Sequence, residues 1–421
     1  MHAALGLDHR SLPPGIPRRE GHPPHLNPRL LVGLSALHFA LFPIPVVTLF
    51  WTEQIGMSLA DVMTLQAVFS LTVVVCEFPS GYLADRIGYR ASLVMGGASW
   101  LAGWLVYAWA SSFGTVVLAE MILGAGLAFM SGADRALLWV SLEATGRAGQ
   151  YTRWEGRMRA AGQTSEAVSS FAGGWLYAIK PRLPFWLQIP VAALGLASIV
   201  ALREIPRRPT ETVHRSHLER AWHVLRFALG RHGRLRAAMT LAVALGLSSF
   251  VMVWLIQPYM RAHGIPPSWF GPVWAAAHTW LVLVSLASAR IVGALGVRAT
   301  LLGCCLLVAL GYAGLAVSTS VWGVVFYLAF MTLRGLQGPI LARVMQEEAP
   351  PDDRVSVLSL AALLFRLSFA IAGPPIGALV DRVGMSLALA ILGALFTIAS
   401  LAALLPFARA HDDVGGDAIR G

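Results

Sequence analysis

The stretch Gly81-Tyr-Leu-Ala-Asp85-Arg86-Ile-Gly88-Tyr-Arg90 is a short polar turn between two long apolar runs. It carries one negative charge and two positive charges, and a glycine stands on each side of the Asp-Arg pair. Charged side chains inside lipid cost at least ~2.5 kcal/mol each, so a turn of this kind belongs at a membrane surface. The sequence therefore predicts two membrane-spanning helices that this turn joins.

The composition of the whole chain agrees with a membrane protein. Of the 421 residues, 56% are hydrophobic and only 13% are charged, and the mean hydropathy is +0.65. Soluble domains have about 25% charged residues. The composition excludes an ordinary soluble protein and indicates that most of the chain lies in a bilayer.

Long apolar runs recur along the chain. A helix needs about 20 apolar residues to cross a hydrocarbon core ~30 Å thick, and about twelve runs reach that length. They cover residues 30–51, 59–83, 92–109, 113–140, 158–179, 184–202, 237–260, 269–289, 300–317, 321–344, 355–380 and 385–407. No run alternates as a membrane β-strand does, so we predict an all-α integral membrane protein with about twelve spanning helices in two bundles of six.

The polar segments divide this chain into five parts. Residues 1–28 lack the apolar region of a signal peptide and are predicted to be a disordered cytoplasmic tail. The spans are expected to form bundles over residues 29–202 and 237–408, followed by a cytoplasmic tail over 409–421. Residues 203–236 form a linker. Ser216-His-Leu-Glu219 within it predicts either the start of a surface helix or part of a mobile basic segment.

The distribution of arginine predicts the orientation, because basic residues are retained on the cytoplasmic side. Lys180 is the only lysine, so arginine carries this signal almost alone. Arginines cluster in the first tail, in the 81–90 turn, at 147–159 and in the linker, which predicts that both termini are cytoplasmic. The net charge of +10 then reflects topology and attraction to anionic membrane lipids. Nucleic acid is not an expected partner.

The two halves of the chain repeat. Gly56 after the first run matches Gly264 after the seventh, and Gly88 and Arg90 match Gly296 and Arg298, all at a spacing of 208 residues. A constant spacing over two landmarks predicts a duplicated unit of six helices, as in transporters built from parallel repeats. A further turn, Gly377-Ala-Leu-Val-Asp381-Arg382-Val-Gly384, follows the eleventh run.

The 81–90 turn resembles the G-x-L-A-D-R-x-G-x-R loop of the major facilitator superfamily at every signature position. Three further stretches are similar to the bacterial drug:proton antiporters within that superfamily: Glu77-Phe-Pro79-Ser-Gly81, Ser131-Gly-Ala-Asp134-Arg-Ala-Leu and Arg334-Gly-Leu-Gln-Gly-Pro339. The resemblance implies a secondary transporter that moves small solutes. Arg135 stands where that branch usually has an acid, and Glu120 where many antiporters have an arginine.

Charges within the runs indicate a transport path. Glu120, Glu166, Arg334 and Arg366 fall near the middle of runs four, five, ten and eleven, whereas runs three, six, nine and twelve contain no charge. Ionisable groups in a membrane usually face a cavity or a partner. Two interpretations stay open. Either the acids exchange protons while the arginines serve as counterions or meet an anionic substrate, or the four charges form fixed ion pairs.

Other ionisable residues complete the set of proton-coupling and substrate candidates. His38 and His278 lie at comparable depth in runs one and eight, and Glu77 lies in the second run. The ordinary pKa of histidine, ~6.5, suits proton exchange. We count His38 and Glu77 with the proton-coupling candidates and His278 with the substrate or counterion candidates, although a packing role is the simpler interpretation of both histidines.

The resemblance also implies a gate at the cytoplasmic surface. In the superfamily the loop aspartate, here Asp85, caps a helix of the other half when that side is shut. We predict a gating set that consists of Gly81, Asp85, Arg86, Gly88, Arg90, Asp134 and Arg135. Anchoring of Arg86 and Arg90 to lipid headgroups explains the arginines alone, not the acid or the glycines.

The sequence offers no pattern for a metal, a cofactor or ATP hydrolysis. The leading hypothesis is a monomeric transporter of the cell membrane, not an enzyme, which exports an amphiphilic small molecule in exchange for protons. A permease or symporter for an organic anion, drawn to Arg334 and Arg366, is the first alternative. A receptor that uses the same fold without transport is the second.

Overall fold

The protein is described by a computed structural model that covers residues 24–205, 226, 233–350 and 353–417, with the backbone alone at residues 78, 85, 355 and 409–417. This part of the chain contains helices and no β-strand, as the sequence predicts. Its α-helices are Asn27–Phe39 (α1), Val47–Phe50 (α2), Leu59–Ile87 (α3), Tyr89–Trp109 (α4), Phe113–Met130 (α5), Ala133–Ala144 (α6), Tyr151–Ile179 (α7), Leu183–Ala201 (α8), Gly233–Ala262 (α9), Phe270–Val317 (α10), Tyr327–Glu348 (α11), Arg354–Val383 (α12) and Met385–Asp417 (α13).

Ten helical segments in the described residues are long and apolar enough to cross a membrane. The difference from twelve has two sources. Segment Pro267–Val317 counts once, although the left-handed Gly296 (φ 79°) divides α10 into two parts, and α7 is not among the ten although it has 29 residues. The chain is a multi-pass membrane protein, and the number twelve stays a prediction.

Two predicted runs are interrupted. The first breaks between α1 and α2, where Pro43 and Pro45 lack the N–H groups that a continuous helix needs. The fourth breaks between α5 and α6 at Gly132, whose φ of 82° lies in the left-handed region. At the other end of the chain, α13 runs to Asp417, so the tail predicted to start at residue 409 begins as helix.

Most of the predicted tail and linker lies outside the described residues. These parts include the N-terminal segment up to residue 23, the stretch 206–232 apart from residue 226, and with it the predicted capping box Ser216 to Glu219. Helices α1 and α9 begin at Asn27 and Gly233, two and four residues before the predicted bundle boundaries at residues 29 and 237.

The repeat of 208 residues is visible in the backbone and in its contacts. Gly56, Gly88, Gly264 and Gly296 all have positive φ, between 77° and 99°. The guanidinium of Arg90 donates to the carbonyl of Val200 at 2.7 Å. Its counterpart Arg298 donates to the carbonyl of Ala408, which lies 208 residues after Val200. Each half therefore ties its third helix to its last in the same way.

The helices pack around buried apolar side chains and expose others on the outside. Phe50, Phe185, Phe330 and Phe407 are fully buried, whereas large apolar side chains of α4, α8, α13 and the second part of α10 are exposed. Water does not favour such a surface, but lipid does, because hydrocarbon tails are as apolar as the side chains. The exposed surface thus fits a protein whose solvent is a bilayer.

We name the two ends of the bundle after residues in their connections. The Ser58 end contains Ser58, Ser111, Arg182, Gly264 and Ser320, and is the predicted outer face. The Gly88 end contains Gly88, Thr145, Glu204, Gly296 and Asp353, and is the predicted cytoplasmic face. Helices α3 and α12 run antiparallel between these ends and make the main contact between the two halves of the chain.

Candidate functional site

A buried chain of hydrogen bonds surrounds Glu120. The indole Nε1 of Trp51 donates to the hydroxyl of Tyr107 at 2.7 Å, and this hydroxyl donates to Oε1 of Glu120 at 2.8 Å. The side chain of Gln66 also bonds the carboxyl group. Glu120 is only 7% exposed, and its partners are buried. A carboxyl group without a cation beside it is held by neutral donors, which suits a group that gains and loses a proton.

This location differs from the expected one. The sequence suggests that Glu120 lines a central path and pairs with an arginine of the other half. In the structure its described partners all belong to the first half, and the carboxyl lies seven residues, about 10 Å, from the start of α5 at the Ser58 end. Glu120 touches the other half only indirectly, through Trp51, whose ring stacks on Trp254 at 5.7 Å between centroids.

The second acid, Glu166, does lie between the halves. Its Oε1 is 3.9 Å from Nε2 of His278. From the sequence, Glu166 is a proton-coupling candidate and His278 is a substrate or counterion candidate. Both side chains are less than one-fifth exposed. The guanidinium of Arg334 acts electrostatically on both groups, attracting the Glu166 carboxylate and opposing a charge on His278. Three candidates from α7, α10 and α11 thus form one cluster near mid-membrane.

The ring of His278 has a defined orientation. Its Nδ1 lies 3.1 Å from the carbonyl oxygen of Trp274, one turn earlier, and the two rings stack at 4.8 Å. A proton on Nδ1 satisfies that carbonyl and leaves Nε2 free to accept from a protonated Glu166 or, when doubly protonated, to pair with its carboxylate. At 3.9 Å the two groups are farther apart than a hydrogen bond, so a direct proton transfer between them requires the side chains to approach further.

His38 and Glu77 do not join this cluster among the described contacts. His38 is buried inside the first half, where it packs on Trp100 at 4.5 Å and lines a small apolar cavity with Leu34, Met130 and Leu196. This position favours the packing interpretation. Glu77 is exposed in the second part of α3, toward the Gly88 end.

Arg366 is the fourth charge of the set, and it differs from Arg334. It lies in the middle of α12 and is half-buried. Among the described residues it has neither a hydrogen bond nor an ion pair. Arg334 acts on Glu166 electrostatically without a described ion pair within 4 Å, and no described interaction joins Arg366 to Glu120, so the pairing of arginines with acids stays a prediction.

The Ser58 end is closed by contacts between the halves. The amide of Gln257 accepts from the N–H of Thr48 at 2.9 Å and donates to the carbonyl of Ile44 at 2.9 Å. Glu53 and Arg261 form an ion pair at 2.6 Å. Gln257 is not among the site residues predicted from the sequence. The available signal is its polar amide within an apolar run, which an average hydropathy does not show.

Glycines allow the backbones to approach at the same end. A Cβ atom on Gly174 would lie 2.7 Å from the carbonyl oxygen of Pro267 and 2.8 Å from the nitrogen of Gly271. A Cβ atom on Gly377 would overlap the carbonyl of Leu59 in α3. These contacts leave no room for a side chain, so the two halves meet here with their main chains.

The Gly88 end has a different pattern. The carboxylate of Glu204 accepts from the N–H groups of Tyr89 and Arg90 at 3.1 and 2.7 Å, and so caps the start of α4. Burial raises the pKa of this carboxyl above its usual range. From the sequence, Glu204 is predicted only as part of the linker. Its capping role depends on the fold, which brings it back to the 81–90 turn.

The chain matches a known family of membrane proteins. The sequence profile described as Major Facilitator Superfamily matches residues 30–373. The chain belongs to this superfamily. Its members are transporters rather than enzymes, and a small-molecule substrate is therefore implied for this chain.

Solved structures share the superfamily fold at low sequence identity. A mutant form of the nucleoside transporter NupG is 14% identical, with a TM-score of 0.75 over 91% of this chain and 99% of that one. A bacterial homolog of the human lysosomal transporter Spinster, in an inward-facing and unoccupied conformation, is 16% identical, with a TM-score of 0.64 over 93% and 96%. A POT family transporter in complex with 5-aminolevulinic acid is 14% identical, with a TM-score of 0.68 over 92% and 97%. No curated protein sequence matches the chain.

The structure describes part of the predicted gate. Gly88 has a φ of 99°, which favours glycine, and separates α3 from α4. The guanidinium of Arg86 lies over the ring of Tyr82 at 4.7 Å. Gly81 has open space around it. The side chain of Asp85 lies outside the described part, so its role stays a prediction.

Asp134 and Arg135 take partners other than the 81–90 turn. Oδ1 of Asp134 accepts from the N–H of Arg135 at 2.7 Å in the first turn of α6. The guanidinium of Arg135 lies 3.8 Å from the carboxylate of Glu155 on α7, which Arg159 also approaches. Because the side chain of Asp85 lies outside the described part, a contact of this pair with the turn stays a prediction.

No group of three or more potential metal ligands occurs in the described part of the chain. The ionisable groups of the site are the carboxyl, imidazole and guanidinium groups of Glu166, His278 and Arg334. These groups bind and release protons or anions.

Proposed function

We propose that this protein couples the transport of an amphiphilic small molecule to protons by alternating access, with export as its direction. The observation that carries the proposal is the 3.9 Å approach of Glu166 and His278 across the two halves of the chain, beside Arg334. A group that changes charge at the interface changes the attraction between the halves, so its protonation is linked to their relative movement. The superfamily membership supports secondary transport, and the direction rests on the resemblance to drug:proton antiporters.

The contacts between the halves support one state of such a cycle. The described contacts lie at the Ser58 end and near the middle of the helices, where Gln257, Asp381 and Arg261 bind the first half. In the second part of α3, toward the Gly88 end, Glu77 and Gly81 are exposed, and they lie on the same helix face as Leu59 and Met63, which contact α12. We assign this arrangement to a state that opens at the Gly88 end, which by the arginine distribution faces the cytoplasm. The cell membrane and two cytoplasmic termini belong to the same proposal.

The two six-helix bundles, residues 29–202 and 237–408, are part of the proposal as the moving bodies. The equivalent bonds from Arg90 to Val200 and from Arg298 to Ala408 support them, since each bond ties helices within one bundle. We propose a monomer as the functional unit, surrounded by lipid.

The experiment uses purified protein in proteoliposomes with an imposed pH gradient. We expect E166Q to abolish gradient-driven transport while keeping substrate exchange at equal pH, since the variant keeps the shape of the side chain and loses only its titration. E120Q tests the second acid in the same way. E143Q is the control, because Glu143 is exposed on α6 and has no described partner. Full gradient coupling in the double variant E120Q/E166Q would overturn proton coupling through these acids.

Arg334 provides a separate test of the cluster. In R334Q the Glu166 carboxylate loses the cation that stabilises its charged form, so we expect the optimum of transport to move to higher pH. R343Q is the control, since Arg343 is exposed and pairs with Glu347 on its own helix. A pH profile identical to that of the unmodified protein would remove Arg334 from the coupling mechanism.

The direction of transport has its own readout. In vesicles of known orientation, an exporter accumulates substrate only when the Gly88 end faces the medium and the lumen is acidic. Accumulation in the opposite orientation would favour a symporter that imports its substrate.

A further inference from the structure

The direction in which Arg366 points can be read from its own helix. Residues 7 and 11 positions apart in an α-helix lie on the same face. Arg366 therefore shares a face with Gly373 and Gly377. A Cβ atom on Gly373 would lie 3.6 Å from the carbonyl oxygen of Met63, and one on Gly377 would meet Leu59, both in α3. Arg366 thus points from α12 toward the side on which α3 lies.

Arg366 sits closer to the Gly88 end than the glycine contacts. Gly377 opposes Leu59 and Gly373 opposes Met63, so the antiparallel register carries Arg366 to the level of Ser70, near the middle of α3. Beyond this level α3 exposes Glu77, which follows Ser70 by seven residues and lies on the same face of the helix. The guanidinium therefore stands where the closed contact of the two helices ends and the space between the halves begins.

Aromatic rings flank this position. Phe365 and Phe369 lie together on the face of α12 next to that of Arg366, and both pack edge-on against Phe250 of α9 at 5.4 and 4.8 Å between centroids. Phe250 in turn packs on Trp254 at 5.9 Å. Phe250, Phe365 and Trp254 are only partly buried, so their rings offer a surface to a bound molecule.

We propose that Arg366 and the Phe250–Phe365–Trp254 surface form a subsite for the anionic group and adjoining ring of an aromatic carboxylate or a similar aromatic anion. A half-buried guanidinium without a described partner attracts an anion strongly, because a charge-assisted bond in a low-dielectric site is stronger than one in water. Arg334 differs in that it lies close enough to Glu166 to attract its carboxylate, whereas the described interactions of Arg366 include no acid. The subsite names the substrate class for the proposed transport function and rests on that function.

The test measures binding at equilibrium, without a gradient, by titration calorimetry on the detergent-purified full chain. The probes are naphthoate, naphthamide and naphthylmethylammonium, which share a ring and differ in charge. We expect naphthoate to bind about tenfold tighter than naphthamide, the smaller effect of a hydrogen bond to a charged group, and the ammonium to bind weakest. R366Q should lose the preference for naphthoate and keep its affinity for naphthamide.

Two further variants complete the test. R366K should keep part of the preference, because lysine offers a point charge without the bidentate geometry of arginine. R343Q, at the exposed Arg343–Glu347 pair, should bind all probes as the unmodified protein does. If R366Q does not purify as a monodisperse protein, R366K carries the test. Any of three results would overturn the subsite. They are an equal loss of affinity for naphthoate and naphthamide in R366K, no preference among the probes in the unmodified protein, and a preference for the ammonium probe.

Failure of this subsite and failure of the transport function give different results. Absence of an anion preference in the unmodified protein, together with intact gradient-driven transport, would refute the subsite alone. Anion binding that depends on Arg366 in a protein that shows no gradient-driven transport would refute the coupling and keep the subsite.

Discussion

Asp381 holds the start of the helix to which Leu59 belongs, although 322 residues separate the two in the chain. Oδ1 of Asp381 accepts from the N–H of Leu59 at 3.0 Å, and Oδ2 accepts from the N–H of Ala60 at 2.8 Å. The pattern around it, Gly377-x-Leu-x-Asp381-Arg-x-Gly384, repeats that of Gly81-x-Leu-x-Asp85-Arg-x-Gly88. The Ser58 end thus contains the kind of cap that the resemblance assigns to Asp85 at the other end.

The variant D381N tests this cap. It removes the negative charge from the N-terminus of α3, which is favourable by about 0.3–1 kcal/mol, and we expect the closed Ser58 end to become less populated. The measure is the rate at which an impermeant thiol reagent labels M63C, a buried position behind the contact, in a chain without Cys76, Cys304 and Cys305. D61N is the control, because Asp61 bonds only Ser58 in the same helix start. Equal labelling rates in D381N and D61N would contradict the role of the cap.

Close approach of backbones gives a second prediction at the same end. In G271A the new methyl group meets the carbonyls of Ser170 and Phe171, so the closed contact cannot form without a shift. We expect faster labelling of M63C than in the parent and a lower transport rate. G303A adds the same methyl group where there is open space and should change neither. If M63C is labelled in G271A as slowly as in the parent, the contact accommodates the methyl group and stays closed, which contradicts the prediction.

The buried hydroxyl of Tyr107 leads to a third prediction. Y107F leaves the buried indole N–H of Trp51 without its acceptor, which costs about 1–3 kcal/mol, and removes one of the two donors of Glu120, the other being Gln66. We expect a lower midpoint of thermal unfolding together with an altered pH dependence of transport. Y312F, which loses one hydrogen bond to the carbonyl of Ser248, should lower the midpoint and leave the pH dependence unchanged. The same pH profile in both variants would exclude the Glu120 network from proton coupling.

The pH dependence of stability gives a fourth prediction through Glu204. Burial raises the pKa of its carboxyl in the folded protein above the ordinary value of 4.5. The folded state then binds the proton more tightly than the unfolded state, so the contribution of Glu204 to stability is present below pH 4.5 and is lost as the pH rises through the folded pKa. We expect the midpoint of thermal unfolding to fall over this window in the unmodified protein and to fall less in E204Q. A steeper fall in E204Q would reverse the sign that burial assigns.

The sequence predicts the helices better than the site, for physical reasons. Hydropathy locates the spans because lipid demands long apolar helices, and the spacing of Gly56 and Gly264 marks equivalent turns that both adopt positive φ. The sequence cannot identify the partners of Glu120, because the hydroxyl of Tyr107 reaches the Glu120 carboxyl only through the packing of α4 on α5. Glu166 and His278 stand out in the sequence as ionisable groups within apolar runs, but their contact depends on how the two halves of the chain meet. The backbone breaks at Pro43 and Gly132 show that a continuous apolar run need not be a continuous helix.

Lys180 gives the chain an unusual chemical property. It is the only lysine, it is exposed at the Ser58 end, and its ammonium lies over the ring of Trp186 at 4.4 Å. Amine-reactive dyes, crosslinkers or surface-coupling reagents can therefore modify one defined side chain of the unmodified protein, beside a native fluorophore that senses the change. The molecule carries its own attachment point for single-molecule work, and the side of the membrane from which that point reacts reports directly how the protein is inserted.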